Sequence, residues 1–141
     1  MIRNKPLLTH VATTLLATLA LGAPVRAQEF QPYPTPRITV EQWTSYLATV
    51  RANLEPTAEI YPEKHVVIFS DQRSRTFYIF TTKDHPAHPA WITRQIVEEG
   101  GEVSVRQIGY FAGSEERFAK LFSKYQKMNE ELREDVLRRN Q

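Results

Sequence analysis

An apolar stripe recurs at spacings of three and four residues between positions 40 and 54. Its members are Val40, Trp43, Leu47, Val50 and Leu54. This spacing places their side chains on one face of a helix. Thr39 and Gln42 form a capping-box pair at the start, and Pro56 prevents continuation beyond the end. The pattern predicts a helix over residues 40–54 with one buried face.

The following segments are rich in β-branched and aromatic residues, which favour strands. Residues 66–69 and 76–81 flank the polar segment 71–75, and residues 91–97 and 103–111 flank Gly100 and Gly101. Adjacent glycines are typical of tight hairpin turns. We therefore predict two β-hairpins whose strands are partly covered on both faces. A phase slip at Arg106 and Gln107 predicts a β-bulge.

A second helix is predicted over residues 115–137. Ser114 is a good N-cap, and Glu115 and Glu116 complement the helix dipole. The apolar stripe comprises Phe118, Leu121, Phe122, Tyr125, Met128 and Leu132. The predicted fold is therefore α+β in the order α-β-β-β-β-α: a four-stranded antiparallel sheet of two hairpins, flanked by an N-terminal helix and a longer C-terminal helix.

The N-terminal segment has the three-part pattern of a cleaved secretory signal peptide over residues 1–27. Arg3 and Lys5 precede an apolar run over residues 11–21, and Val25 and Ala27 supply small residues before the expected cleavage point. The run is too short to span a membrane, so no membrane span is expected after cleavage. With no twin-arginine pair, we expect export by the general secretory route into the periplasm or the medium.

Residues 28–38 form a Pro-rich leader, and residues 39–141 are expected to form a single α+β domain. Prolines at positions 32, 34 and 36 favour an extended backbone. Phe30 and Tyr33 either dock on the domain or belong to a loose terminus. The sequence favours the loose alternative, since chain termini are usually poorly ordered.

Signal cleavage changes the charge of the protein. The full chain has 18 basic and 16 acidic residues, a net charge of +2, but Arg3, Lys5 and Arg26 leave with the signal. The remaining 15 basic residues face 16 acidic ones, a net charge of −1. This balance does not support nucleic-acid binding. The chain has no cysteine, so the fold depends on its apolar core rather than on disulfides.

Two histidines lie in a loop stiffened by two prolines. His85 and His88, with Asp84 and with His65 near the start of the first strand, are candidate ligands for Zn, Cu or Ni. Two histidines alone fall short of a complete ligand set. A loop histidine acting as a general base in a small hydrolase or isomerase is a second alternative. No motif for a nucleophile or for phosphate binding accompanies it, so an enzyme is the less favoured interpretation.

Two further groups are candidates for binding a partner. Arg73 and Arg75 lie at a hairpin tip, where they either bind acidic groups or simply solvate the turn. If both helices cover one face of the sheet, Tyr78 and Phe80 line an exposed patch on the other.

The leading hypothesis is a noncatalytic envelope protein, a binding or accessory module that acts through a sheet face or the C-terminal helix. Its partner would be another envelope protein or a small apolar ligand. The sequence does not specify the oligomeric state or a cofactor.

Overall fold

The computed structural model describes residues 30–141, which form one sheet and two helices. The predicted signal peptide lies outside the described residues. Helix α1 spans Val40–Leu54 and helix α2 spans Glu115–Arg139. The strands are β1 (Glu59–Tyr61), β2 (Val66–Asp71), β3 (Thr76–Thr81), β4 (Ala90–Glu99) and β5 (Glu102–Phe111).

The strands lie in chain order, each antiparallel to its neighbours. The α+β class, the antiparallel sheet and the two flanking helices are confirmed, but the sheet has five strands rather than the predicted four. The additional strand, β1, pairs over three residues with Val66–Ile68 of β2. It lies between Pro56 and Pro62 and is too short to show strand periodicity. Ile60 of this strand is 71% exposed.

The helix termini follow from local hydrogen bonds. In the capping box of α1, the Gln42 amide donates to Thr39 Oγ1 at 3.1 Å, and the Thr39 amide donates to Gln42 Oε1 at 2.9 Å. At the start of α2, the Arg117 amide donates to Ser114 Oγ. These bonds satisfy backbone groups that the first helical turn leaves without partners.

The two helices pack on opposite faces of the sheet. Trp43, Tyr46 and Val50 of α1 contact one set of alternate strand residues, including Tyr78, Phe80 and Trp91. Phe118, Leu121 and Tyr125 of α2 contact the other set, including Ile79, Ile92 and Phe111. Because alternate strand residues point to opposite faces, the sheet lies between two apolar cores, here called the α1-side core and the α2-side core.

The β4–β5 hairpin has the predicted turn but not the predicted bulge. Gly100 and Gly101 both have positive φ, 60° and 81°, as a type I′ turn requires. The pairing from Ala90↔Phe111 to Glu99↔Glu102 is uninterrupted, so the bulge prediction is wrong. Gln107 faces α2 without a slip in register because its side chain bonds to the Phe122 carbonyl and to Asn129.

No helix within residues 30–141 combines the length and apolar composition needed to cross a membrane.

Candidate functional site

The leader is anchored to the domain by contacts with β5 and α1. Tyr33 packs edge-on against Trp91 and Tyr110, with ring centroids 6.2 and 5.7 Å away. Tyr110 Oη donates to the Tyr33 carbonyl at 2.9 Å, and Tyr33 Oη donates to the Gln42 carbonyl at 3.2 Å. The leader is therefore docked, contrary to the favoured expectation of a loose terminus.

Within residues 30–38, the leader pairs with β5 at one position only. The Phe111 amide donates to the Pro36 carbonyl at 2.9 Å, and the Ile38 amide donates to the Phe111 carbonyl at 3.0 Å, forming a parallel bridge. Continuing this pairing towards the start of the leader would require N–H groups at positions 36 and 34. Both positions are proline, which has no N–H to donate. The prolines therefore prevent the leader from forming further backbone hydrogen bonds along β5.

Beyond that bridge, the outer backbone groups of β5 pair with no other strand within residues 30–141, although Gly109 itself is buried and Gln107 is half-buried. Since the N–H and C=O of Phe111 point away from β4, so do those of Gly109 and Gln107, because orientation alternates along a strand. Within residues 30–141, the Arg37↔Phe111 bridge is the only backbone pairing on this edge of the sheet.

A cavity of about 330 Å³ lies where the leader, β5 and α2 meet. Phe118 and Phe122 form its α2 wall, and Pro34 and Pro36 form part of its leader wall. Gly109 lies at its base. We call this space the edge cavity.

The position of Gly109 is explained by its neighbours. A Cβ at this residue would lie 2.6 Å from Cζ of Phe118 and 2.9 Å from Cδ1 of Ile92. Only glycine allows the Phe118 ring to approach β5 this closely, and that approach brings α2 down over the strand.

The edge cavity combines apolar walls with unpaired backbone groups. Its size is that of a small-ligand pocket. Exposed strand backbone binds extended chains, while adjacent pockets select their side chains. This arrangement suits an extended peptide that pairs with Gln107 and Gly109 and places an apolar side chain against Phe118 and Phe122. Among the described residues that line it there is no carboxylate, histidine, serine or cysteine, and the one aliphatic hydroxyl is that of Thr35.

The structure places the histidine loop elsewhere, at the end of β3. His65 lies beside it, as expected, because the Thr82 amide donates to the His65 carbonyl at 2.8 Å. His85 Nδ1 accepts from the Ala87 amide at 2.9 Å, and His88 Nδ1 lies 2.8 Å from Thr81 Oγ1. One ring nitrogen of each loop histidine therefore serves the loop itself.

These surroundings do not favour the metal or catalytic alternatives. No group of three or more His, Cys, Asp or Glu side chains suited to a metal occurs within the described residues, and Asp84 is exposed. Burial lowers the pKa of His85, assisted by the nearby His65 and Lys124, and burial also lowers the pKa of His88. The Thr81 hydroxyl beside His88 is 2% exposed and bonds to Ala90, so it holds the loop rather than acting as a nucleophile.

Tyr78 and Phe80 do not form the exposed patch. That patch required both helices on one face, whereas α1 covers both side chains in the α1-side core. Tyr78 is 4% exposed and Phe80 is fully buried, and burial raises the pKa of Tyr78 to about 12. A partner cannot reach either side chain in this fold.

The hairpin-tip arginines are exposed, as expected. Arg75 Nη1 lies 3.5 Å from Glu98 Oε2 on the neighbouring hairpin. The Arg73 backbone amide donates to Asp71 Oδ1 at 3.0 Å, which stabilises the turn. The positions of both arginines are therefore explained by turn structure and contact with solvent, without a bound acidic partner.

None of the residues proposed from the sequence as metal ligands or as partner-binding residues lines the edge cavity. Two local signals do mark it: the alternating prolines of the leader and the isolated Gly109 in a strand. From sequence alone, neither the prolines nor the glycine indicates a cavity. The cavity that they border forms only through leader–β5 contacts between residues more than 70 positions apart.

Comparison with known proteins finds no matching family model, no similar curated protein and no similar solved structure.

Proposed function

We propose that this chain is an exported, noncatalytic binding module that holds an extended segment of another envelope protein at the edge cavity. The observation that carries the proposal is that, within residues 30–141, the outer backbone groups of the half-buried Gln107 and the buried Gly109 pair with no strand and lie beside an aromatic-walled cavity. A sheet edge with unpaired N–H and C=O groups is a template for an added strand.

The leader supports this proposal because its prolines leave the edge unpaired. Pro34 and Pro36 occupy the positions whose N–H groups would otherwise pair with Gln107 and Gly109. Tyr33 holds the leader against Trp91 and Tyr110, so the leader forms a wall of the cavity without filling it. A preformed site avoids part of the ordering cost of binding.

The test is a peptide selection followed by a comparison of affinities. Random peptides of about twelve residues are selected on mature protein, and the Kd of the enriched peptide is measured by isothermal titration calorimetry. The Gln31→Trp variant places a bulky ring at the cavity lining. Gln72→Trp places the same ring at an exposed site in the β2–β3 turn.

We expect Gln31→Trp to raise the Kd about tenfold or more and Gln72→Trp to leave it unchanged. Failure to enrich any peptide, or equal affinity for both variants, would contradict the proposal.

The export step is part of the same proposal. We propose that residues 1–27 direct the chain through the general secretory route and are removed after Ala27. N-terminal sequencing of protein recovered from the periplasm or medium should begin at Gln28. Recovery of the uncut chain from the cytoplasm alone would contradict this step.

A further inference from the structure

The first half of β5 presents a second open surface, separate from the edge cavity. By the same alternation that turns the backbone groups of Gly109 outward, the N–H and C=O groups of Val103 and Val105 point away from β4. Within residues 30–141, neither residue pairs with a strand on that side. An open strand edge requires either protection or a partner.

The side chains on this segment are self-complementary in charge. Glu102 lies opposite Glu99 across the hairpin, and like charges directly opposite each other are unfavourable. Arg106 contacts the Phe30 ring and Gln95. Within the described residues, neither Glu102 nor Arg106 has an oppositely charged partner.

We propose that β5 pairs antiparallel with β5 of a second copy of this chain, about a twofold axis through Ser104. In this register Glu102 of each copy lies opposite Arg106 of the other. Val103 of each copy likewise lies opposite Val105 of the other, and these valines exchange the backbone hydrogen bonds. Centring the axis on Glu102 or on Arg106 instead would place like charges in contact.

An apolar cleft on the α2 side coincides with this axis. The cleft, of about 170 Å³, lies between the hairpin and the last turns of α2. Val103, Ser104 and Val105 line it from β5, and Leu132 and Val136 line it from α2. Leu132 is 39% exposed. Since Ser104 lies on the axis, the clefts of the two copies would meet there.

The spacing of the helices is compatible with the pairing. Helix α2 lies over both β4 and β5, because Asn129 contacts Arg94 on β4 and Gln107 on β5. With strands about 4.8 Å apart, the two copies of α2 would lie antiparallel and roughly 10 Å apart. That is close to the normal distance for packed helices. The result is an isologous dimer with a ten-stranded sheet.

The test uses a charge exchange read by sedimentation velocity. Mature wild-type protein should sediment as a dimer at micromolar concentration. Glu102→Arg should raise the dimer dissociation constant at least about tenfold, since it places two arginines opposite each other. Adding Arg106→Glu to Glu102→Arg should restore the dimer, because the pairs are then complementary again.

A cysteine at the axis tests the register independently. Opposed residues of this type have Cα atoms about 4.5 Å apart, within disulfide range. The chain has no cysteine of its own. Ser104→Cys should therefore cross-link rapidly under mild oxidation, whereas Ser45→Cys, exposed on α1, should not.

A wild-type protein that stays monomeric across the concentration series overturns the inference. So does a dimer that persists in Glu102→Arg and cross-links no faster through Ser104→Cys than through Ser45→Cys, because it must use another surface. Peptide binding at the edge cavity is measured separately, although this register places Gly101 of one copy opposite Gln107 of the other.

Discussion

The close approach of Phe118 to β5 makes Gly109→Ala a sensitive test of the packing that forms the edge cavity. The new Cβ would lie 2.6 Å from Cζ of Phe118 and 2.9 Å from its Cε2. These separations are far below ordinary carbon–carbon contact, so the ring must move. Overpacking of this kind costs about 1–3 kcal/mol.

The conformational preference of the strand backbone, in contrast, favours the substitution. Gly109 lies in a regular strand, where alanine is favoured over glycine by about 0.5–1 kcal/mol. Steric overlap exceeds this gain, so we expect a net loss of about 1–2 kcal/mol in the free energy of unfolding. Urea denaturation monitored by circular dichroism measures the change.

A double-mutant cycle assigns that loss to the ring. Phe118→Leu removes the atoms nearest to the new Cβ. In that background the overlap with Cδ1 of the buried Ile92 remains, so Gly109→Ala should still cost something but less than in the wild type, a coupling of about 1 kcal/mol. Equal destabilisation in the wild-type and Phe118→Leu backgrounds would refute the proposed role of Gly109.

Three further predictions test the cap, the histidine loop and the leader. Thr39→Ala should lower the free energy of unfolding by about 1 kcal/mol by removing the α1 capping box, measured by urea denaturation; an unchanged midpoint would contradict it. Because burial lowers the pKa of His85 and His88 below 6.5, the unfolded state binds more protons, so stability should fall as the pH drops through that value. The fall from about pH 7.5 to about pH 5.5 should be smaller in a His85→Gln, His88→Gln double variant, and equal falls would contradict this. Replacing Pro34 and Pro36 by alanine should let the leader pair with β5. The new amides at positions 34 and 36 should then exchange slowly, and peptide binding should weaken about tenfold or more. Fast exchange at both amides would argue against this prediction.

Local signals predicted the elements well. The helix bounds followed from the Thr39 and Ser114 caps and from the apolar stripes, and the glycine pair at positions 100–101 marked its hairpin. These features depend on residues a few positions apart. Strand β1 was missed because it spans only three residues and is held by pairing with β2 rather than by its own sequence pattern.

Long-range arrangement was harder to predict. Apolar residues on both faces of each strand did indicate two covered faces. The sequence does not specify whether α1 and α2 cover the same face of the sheet. Sequence alone therefore allows Tyr78 and Phe80 to form an exposed binding patch. The edge cavity depends on the contact of Tyr33 with Tyr110 and of Phe118 with Gly109, and no local pattern encodes either contact.

Backbone chemical-shift mapping tests the central claim most directly. Isotope-labelled mature protein is titrated with the selected peptide. The largest amide shifts should cluster in β5 and in the two walls of the edge cavity, at Gln107, Gly109, Tyr110, Tyr33, Phe118 and Phe122. Shifts that cluster instead at the histidine loop or on α1, with β5 unchanged, would contradict the assignment of the edge cavity as the binding site.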